Sequence, residues 1–159
     1  MTRIVVPLTV RNLATRDLAS CAWSGLGASL ITELERAGRG DADYLVVCPP
    51  SGLPVALGGV DYAVNRRAGT LYQLTVHGAL QSCGIGTILI GAAEQRILAR
   101  GLHRAELAVE ENNPRARALY ERLGYTAYAT KPEAWLDEAP DGSRFRYETV
   151  CTLMRKDLR

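Results

Sequence analysis

The stretch "LTVHGALQSCGIGTILIG", residues 74–91, changes its hydrophobic period within a few residues, and that change limits what the chain can fold into. Up to His77 the apolar residues Leu74 and Val76 alternate with Thr75, the period of a strand; from Gly84 onward Ile85, Leu89, Ala93 and Ile97 recur at steps of four, the period of a helix, and Gly101 stands where helices end. In "RAELAVE", which follows, Leu107 and Val109 alternate with Glu106 and Glu110 as in a second strand. Strand, helix, strand predicts a right-handed parallel crossover between residues 71–77 and 104–110. The glycines at the junction carry a chemical consequence as well. Without a Cβ the backbone N–H groups approach phosphate oxygens closely, at the end of the helix where the dipole favours negative charge.

Spacing decides which phosphate binder this is. A dinucleotide fingerprint counted from Gly84 and Gly86 meets Leu89 at its third glycine, and a Walker loop counted from Gly86 to Gly91 continues with Ala92 and Ala93 in place of Lys and Ser or Thr. Both are rejected. The first lysine of the chain is Lys131, which excludes a phosphate-loop lysine or Schiff-base lysine anywhere before it. What remains is Gln81-x-x-Gly84-x-Gly86 between a strand and an amphipathic helix.

The rest of the chain reads as one domain over residues 1–159, without repeats or low-complexity tracts. We expect a strand near residues 2–8, two short helices in "TRDLASCAWSG" and "GASLITELERAG", and antiparallel strands in "DYLVVCP", "PVALGGVDYAV" and "TLYQLTVHG". A last helix, "NPRARALYERLGY", opens on Asn113 as cap with Pro114 at its first position and closes at Gly124. Two further strands, "TAYAT" and "RFRYETVCTLM", are expected on either side of a loop, "KPEAWLDEAPDGS". The four cysteines, Cys21, Cys48, Cys83 and Cys151, form no local pair and only two histidines are present, so no metal site is expected. No apolar run approaches the roughly 18 residues of a membrane span. The net charge of +2 gives no electrostatic case for a nucleic-acid partner. A soluble cytoplasmic protein, bound to neither membrane nor nucleic acid, is the expectation.

Residues 71–125 carry a second ordered motif one helix and one strand after the first: Asn113, Ala116, Leu119, Tyr120, Gly124 and Tyr125 in the pattern N-x-x-A-x-x-L-Y-x-x-x-G-aromatic. With both motifs in this order the chain resembles the GNAT superfamily of N-acetyltransferases. The resemblance implies an α/β (α+β) fold: a mixed, mostly antiparallel sheet of six to seven strands with about four helices and a central pair of splayed parallel strands. It also implies acetyl-CoA as donor, coenzyme A as product and a primary amine as acceptor. Carried over position by position, Leu74, Thr75 and Val76 would offer main-chain groups to the pantetheine arm, with the Val76 N–H as oxyanion donor. Gln81, Ser82, Cys83, Gly84, Ile85, Gly86 and Thr87 would cradle the pyrophosphate, and Asn113 would contact the donor near its pantetheine end. Tyr120 matches the family's general acid, facing the coenzyme sulfur. The chain departs from the commonest pattern at Gly78, where the family often has proline, and at Ser82 and Cys83, which replace a basic residue and a glycine. Members of the family often dimerise, so a homodimer is among the expectations.

The base that takes the amine's proton is not given by the motifs; Glu110, at the end of the second strand of the crossover, is the first candidate, followed by Glu33 and Asp61. The acceptor pocket of the family is shaped by regions matching residues 20–38 and 130–145. There Glu33 would attract a cation, and Trp23 and Trp135 would supply an apolar or cation-π wall. The acceptor is accordingly expected to be a small-molecule or peptide amine. Two other functions compete: an acyl-CoA-binding sensor without turnover, and an acyl carrier acting through Cys83. Tyr120 argues against the first, and the absence of a histidine next to Cys83 against the second.

Overall fold

The computed structural model describes residues 1–159, which divide into two compact units, Met1–Ala105 with Leu158–Arg159, and Glu106–Asp157. Seven strands, three α-helices and two 3₁₀ helices run through them. In the first unit β1 (Thr9–Asn12), β2 (Ala42–Cys48), β3 (Ala56–Asp61) and β4 (Gly69–Val76) lie side by side in chain order, each antiparallel to the next. The first strand begins later than the sequence suggests. Residues 1–8 form no strand, and Ile4, Val5 and Val6 are 83%, 78% and 55% exposed. Pro7, which has no N–H to donate, separates them from the paired residues Thr9–Asn12.

Burial across this sheet follows the two-residue period. Tyr44, Val46 and Cys48 of β2 point to one side, where they pack with Leu30 of helix α1 (Ser29–Gly38) and Cys21 of a 3₁₀ helix, Thr15–Ser24. On the other side lies α2 (Ile85–Ala99), which buries Ile85, Leu89, Ile90, Ala93 and Ile97. Its large aliphatic side chains contribute roughly 2 kcal/mol each. Closest approach comes at Gly69, where a Cβ would collide with Ile97 and Val60.

Strand β4 carries one residue more than β3 between Tyr72 and Thr75, because Leu57 faces Thr75 while Gly59 already faces Tyr72. The extra residue forms a bulge at Gln73, whose φ of 55° lies in the left-handed region. Tyr44 Oη donates to Gln73 Oε1 at 2.7 Å, and Thr75 Oγ1 donates to the Gln73 carbonyl at 2.9 Å, so side chains on both flanks fix the distortion.

The second unit contains β5 (Arg104–Glu110) from Glu106 onward, helix α3 (Pro114–Arg122), β6 (Thr126–Glu138) and β7 (Arg144–Asp157), with β7 between β5 and β6. The Asn113 Oδ1 cap accepts from the Ala116 amide at 3.2 Å. At the other end Gly124, with φ 97°, lets the Tyr125 amide reach back to the Tyr120 carbonyl at 3.0 Å, a Schellman closure. The expected loop after residue 130 is instead the second half of β6: Glu133 pairs with Thr149, Trp135 with Tyr147 and Asp137 with Phe145, leaving only residues 139–143 as the turn. Pro132 does not interrupt the strand, since β6 is flanked on one side only and needs no N–H on the other.

A polar network holds α1 to the first sheet. Arg36 lies 3.2 Å from the Glu33 carboxylate, donates to Tyr72 Oη at 3.1 Å and pairs with Asp61, while Tyr72 Oη donates to Glu33. The three charged side chains are 8% (Glu33), 20% (Arg36) and 14% (Asp61) exposed. Arg36→Leu, which leaves two carboxylates without their cation, should destabilise the protein by about 3 kcal/mol, read as a lower urea midpoint with an unchanged slope. A second pair, Arg11 and the buried Asp17, meets at 2.7 Å, and Asp17 also accepts from the Ala14 amide. The Arg11 hydrogen bond holds the Asp17 carboxyl below its ordinary range. A depressed carboxyl contributes stability in full above its unfolded value, near 4, and loses it as pH falls through the folded one. Unfolding midpoints should therefore drop as the pH falls below about 5, and Asp17→Asn should flatten that part of the profile while lowering stability at pH 7.

Candidate functional site

The β4–α2 junction is built from backbone. A single 3₁₀ turn over Gly78–Leu80 follows β4, capped by His77, whose Nδ1 accepts from the Ala79 amide at 3.2 Å. Ser82 and Gly84 then adopt left-handed conformations, φ 65° and 82°, two residues apart. Gly84 is the N-cap of α2 and brings no side chain to it. The amides of Ile85, Gly86 and Thr87 are first-turn donors with no helical carbonyl ahead of them, and the first turn contains no acidic residue. Gln81, Ser82, Cys83 and Gly84 are all exposed. N–H groups without acceptors at the positive end of a 15-residue helix are the kind of donor that suits an anion such as a diphosphate. The donor set thus fits the diphosphate of acetyl-CoA, and a Cβ at Gly84 would meet no neighbour but would strain the left-handed backbone.

The remaining expected residues of the first unit lie on three elements. Leu74, Thr75 and Val76 form the end of β4, directly after the bulge, and are half-buried. Trp23 stands in the 3₁₀ helix with its ring centroid 5.3 Å from that of His77, and its Nε1 is buried without a hydrogen-bond partner. Glu33, the expected cation attractor, is buried within the network around Arg36 and Tyr72; Asp61 belongs to the same network.

In the second unit, Tyr120 lies on α3 against Tyr125, ring centroids 6.2 Å apart at 64°. Burial pushes its phenol up, and its hydroxyl makes no hydrogen bond within the chain. It therefore stays protonated at physiological pH with a donor to offer. Asn113 Oδ1 is engaged as the helix cap, and its side-chain amide remains for another partner. Glu110 and Trp135 are brought together by a residue that the sequence reading did not single out: Tyr147 donates its hydroxyl to Glu110 Oε2 at 3.0 Å and packs its ring 4.9 Å from Trp135. Asn112 Nδ2 donates to the same hydroxyl at 3.2 Å. Cys83 is exposed, its thiol near only the Gln81 carbonyl at 3.7 Å, with no base beside it.

Solved structures share this fold along nearly the whole chain. The ribosomal-protein-S18-alanine N-acetyltransferase of Escherichia coli aligns at TM-score 0.74 with 20% identity over 96% of this chain and 94% of that one. The spermidine N-acetyltransferase of Vibrio cholerae, in complex with CoA and spermine, aligns at 0.72 with 20% identity over 94% and 95%. An acetyltransferase of the GNAT family from Streptococcus pneumoniae aligns at 0.71 with 19% identity over 96% and 100%. At these identities the likeness is one of fold. The sequence itself matches the model of the Acetyltransferase (GNAT) family over residues 30–125, which takes in the β4–α2 junction, β5 and α3. Its enzymes move the acetyl group of acetyl-CoA onto an amine. On that match, spanning more than half its length, the chain belongs to the acetyltransferase (GNAT) family and is an acetyl-CoA-dependent N-acetyltransferase.

Proposed function

We propose that the chain acetylates a primary amine by direct attack, with no covalent enzyme intermediate, using the first turn of α2 to hold the donor and Tyr120 to assist the departing sulfur. The uncapped, acid-free start of α2 behind two left-handed residues is the observation that carries the donor assignment. Gln81 to Thr87 would bind the diphosphate of acetyl-CoA, which supplies the activated acetyl group. Leu74, Thr75 and Val76 would present main-chain groups to its pantetheine arm, with the Val76 N–H polarising the carbonyl under attack. Asn113 would add its free side-chain N–H groups.

Magnitudes define what Tyr120 does. A phenol of reference pKa about 10 is a weaker acid than a thiol at about 8.5, so full proton transfer is uphill by about 2 kcal/mol. Burial raises the Tyr120 phenol further. Its role is then to hold a hydrogen bond on the sulfur as negative charge gathers there. The amine has the opposite problem. At a reference pKa near 10.4 only about one molecule in two thousand is neutral at pH 7, so a proton acceptor is needed, and Glu110 takes that part directly or through water.

Of the residues expected on the acceptor side, Trp135 lies beside Tyr147, which holds Glu110, whereas Glu33 is not free to attract a cation because its carboxylate already accepts from Arg36 and Tyr72. One similar structure is named for a ribosomal-protein alanine and another holds spermine, so peptide and small-molecule amines both serve proteins of this fold.

The test is thiol release from acetyl-CoA across a panel of primary amines. Release with at least one amine is expected, and coenzyme binding without release from any would favour a sensor instead. Tyr120→Phe should bind coenzyme A as the wild type does and turn over at least about tenfold more slowly; undiminished turnover would remove Tyr120 from the chemistry. Gly84→Ala, by forcing a Cβ into a left-handed cap, should cost about 1 kcal/mol of stability and weaken coenzyme A binding, measured by calorimetry, severalfold.

A further inference from the structure

The register of the long hairpin places an aromatic strip next to an unpaired carboxylate. Trp135 faces Tyr147, with Asp137 opposite Phe145 on one side and Glu133 opposite Thr149 on the other. Steps of two along each strand put all six side chains on one face. Trp135 and Phe145 are 42% and 44% exposed although both are large and apolar. The Trp135 and Tyr147 rings pack against each other, centroids 4.9 Å apart at 41°, and the Trp135 side chain stays exposed.

At the edge of the strip stands Glu110. Its carboxylate is held by Tyr147 alone: Asn112 Nδ2 donates to the phenol oxygen, and the phenol donates onward to Glu110 Oε2, leaving Oε1 for a ligand. The local field is negative. The Cys151 thiol is pushed up first by burial and then by the charges of Glu133, Glu110 and Glu111, with Lys131 as the opposing cation. Lys131 is itself paired to Glu133 at 3.3 Å, and neither Glu110 nor Glu111 has a cationic partner. A carboxylate with a free oxygen beside exposed aromatic faces suits a cation on an apolar stem, since the stem covers the rings while the charge meets both the carboxylate and the π quadrupole. An anionic ligand would be repelled, and a neutral one would gain only the apolar part.

We propose that Trp135, Tyr147 and Glu110 form the subsite for the acceptor, and that the acceptor is a primary ammonium on an aromatic or long aliphatic stem. Tyr147 is a positioning residue: through its hydroxyl it fixes where the carboxylate lies, and through its ring it completes the wall. Identifying this ligand as the acceptor rests on the amine acetylation proposed above, whereas the binding it describes does not.

The experiment therefore reads binding without turnover. In the full-length protein the two indole N–H resonances are assigned with Trp135→Phe, and phenethylamine, butylamine and phenethyl alcohol are titrated in turn. Phenethylamine should shift the Trp135 resonance and bind about tenfold more tightly than phenethyl alcohol, and more tightly than butylamine. Glu110→Gln should abolish the preference for the amine over the alcohol, while Tyr147→Phe, which keeps the ring, should reduce that preference and leave alcohol binding as it was. Equal affinity for amine and alcohol in the wild type, or shifts confined to Trp23, would overturn the proposal. With acetyl-CoA present, the effect of Trp135→Ala on phenethylamine acetylation should fall mainly on KM. Amine binding at Trp135 without thiol release from any amine would retire the acetylation proposed above and leave the subsite standing; thiol release without a Trp135 response would do the reverse.

Discussion

Donors without acceptors at the start of α2 are the constraint around which the first unit is organised. The amides of Ile85, Gly86 and Thr87 precede any helical carbonyl, and Gly84 offers no capping side chain, so these groups lack an acceptor within the helix. The anion site proposed there requires that the helix does not move. Ile85 and Leu89 are buried in the first two turns, and Ile97 packs over Gly69 at the far end, where there is no room for a side chain on β4. The bulge at Gln73 adds an opposite kind of fixing. A non-glycine residue in the left-handed region costs on the order of 1–2 kcal/mol, and the Tyr44 and Thr75 hydrogen bonds keep it there immediately before Leu74, Thr75 and Val76.

Identical carboxylates are used in opposite ways by the two units. Glu33 is buried and shares Arg36 with Asp61 while accepting from Tyr72. It is a structural anion whose charge is already answered, and opening it to a ligand would break the tie between α1 and the sheet. Glu110 is held by a neutral phenol only and keeps its charge unanswered. A hydrogen bond from a neutral donor orients a carboxylate without cancelling it, which is what a cation-binding group requires. Counting acidic residues near an expected pocket cannot separate these cases; the partner of each does.

The same distinction marks what was legible in the sequence. Most local signals agree with the elements: the four-residue spacing of Ile85, Leu89, Ala93 and Ile97, the Asn113–Pro114 start and Gly124 end of α3, and the antiparallel strands through β4 are all present. Two misreadings also have local causes. An apolar run, Ile4 to Val6, suggested a strand, but without a partner it stays exposed and pairing starts only at Thr9. The turn signal at Asp141 and Gly142, extended back to Lys131, suggested a loop, yet residues 131–138 pair in an edge strand, which tolerates Pro132 and charge. The bulge at Gln73 and the engagement of Glu33 by Tyr72 depend on contacts 39 residues apart or on a register shift, which one-dimensional patterns do not carry. Tyr147 had a usable signal. Once the turn is centred on Asp141, equal counts of six in either direction pair Trp135 with Tyr147, as the hairpin shows.

That hairpin also bears on why large apolar rings are left in the open. An exposed strand of 13 residues at the end of the β5–β7–β6 order invites another strand to pair with it. β6 resists this: Pro132 lacks an N–H, and Lys131, Glu133, Asp137 and Glu138 line the strand with charge. A surface guarded in this way against backbone pairing has no use for Trp135 and Phe145 as the core of a strand-to-strand interface. Their exposure costs apolar burial that a polar residue at either position would avoid, since both lie on a face already wet at its margins. The combination that remains, rings kept accessible and the adjoining carboxylate kept uncancelled, fits a small cationic ligand laid across side chains better than it fits a protein strand added along the edge.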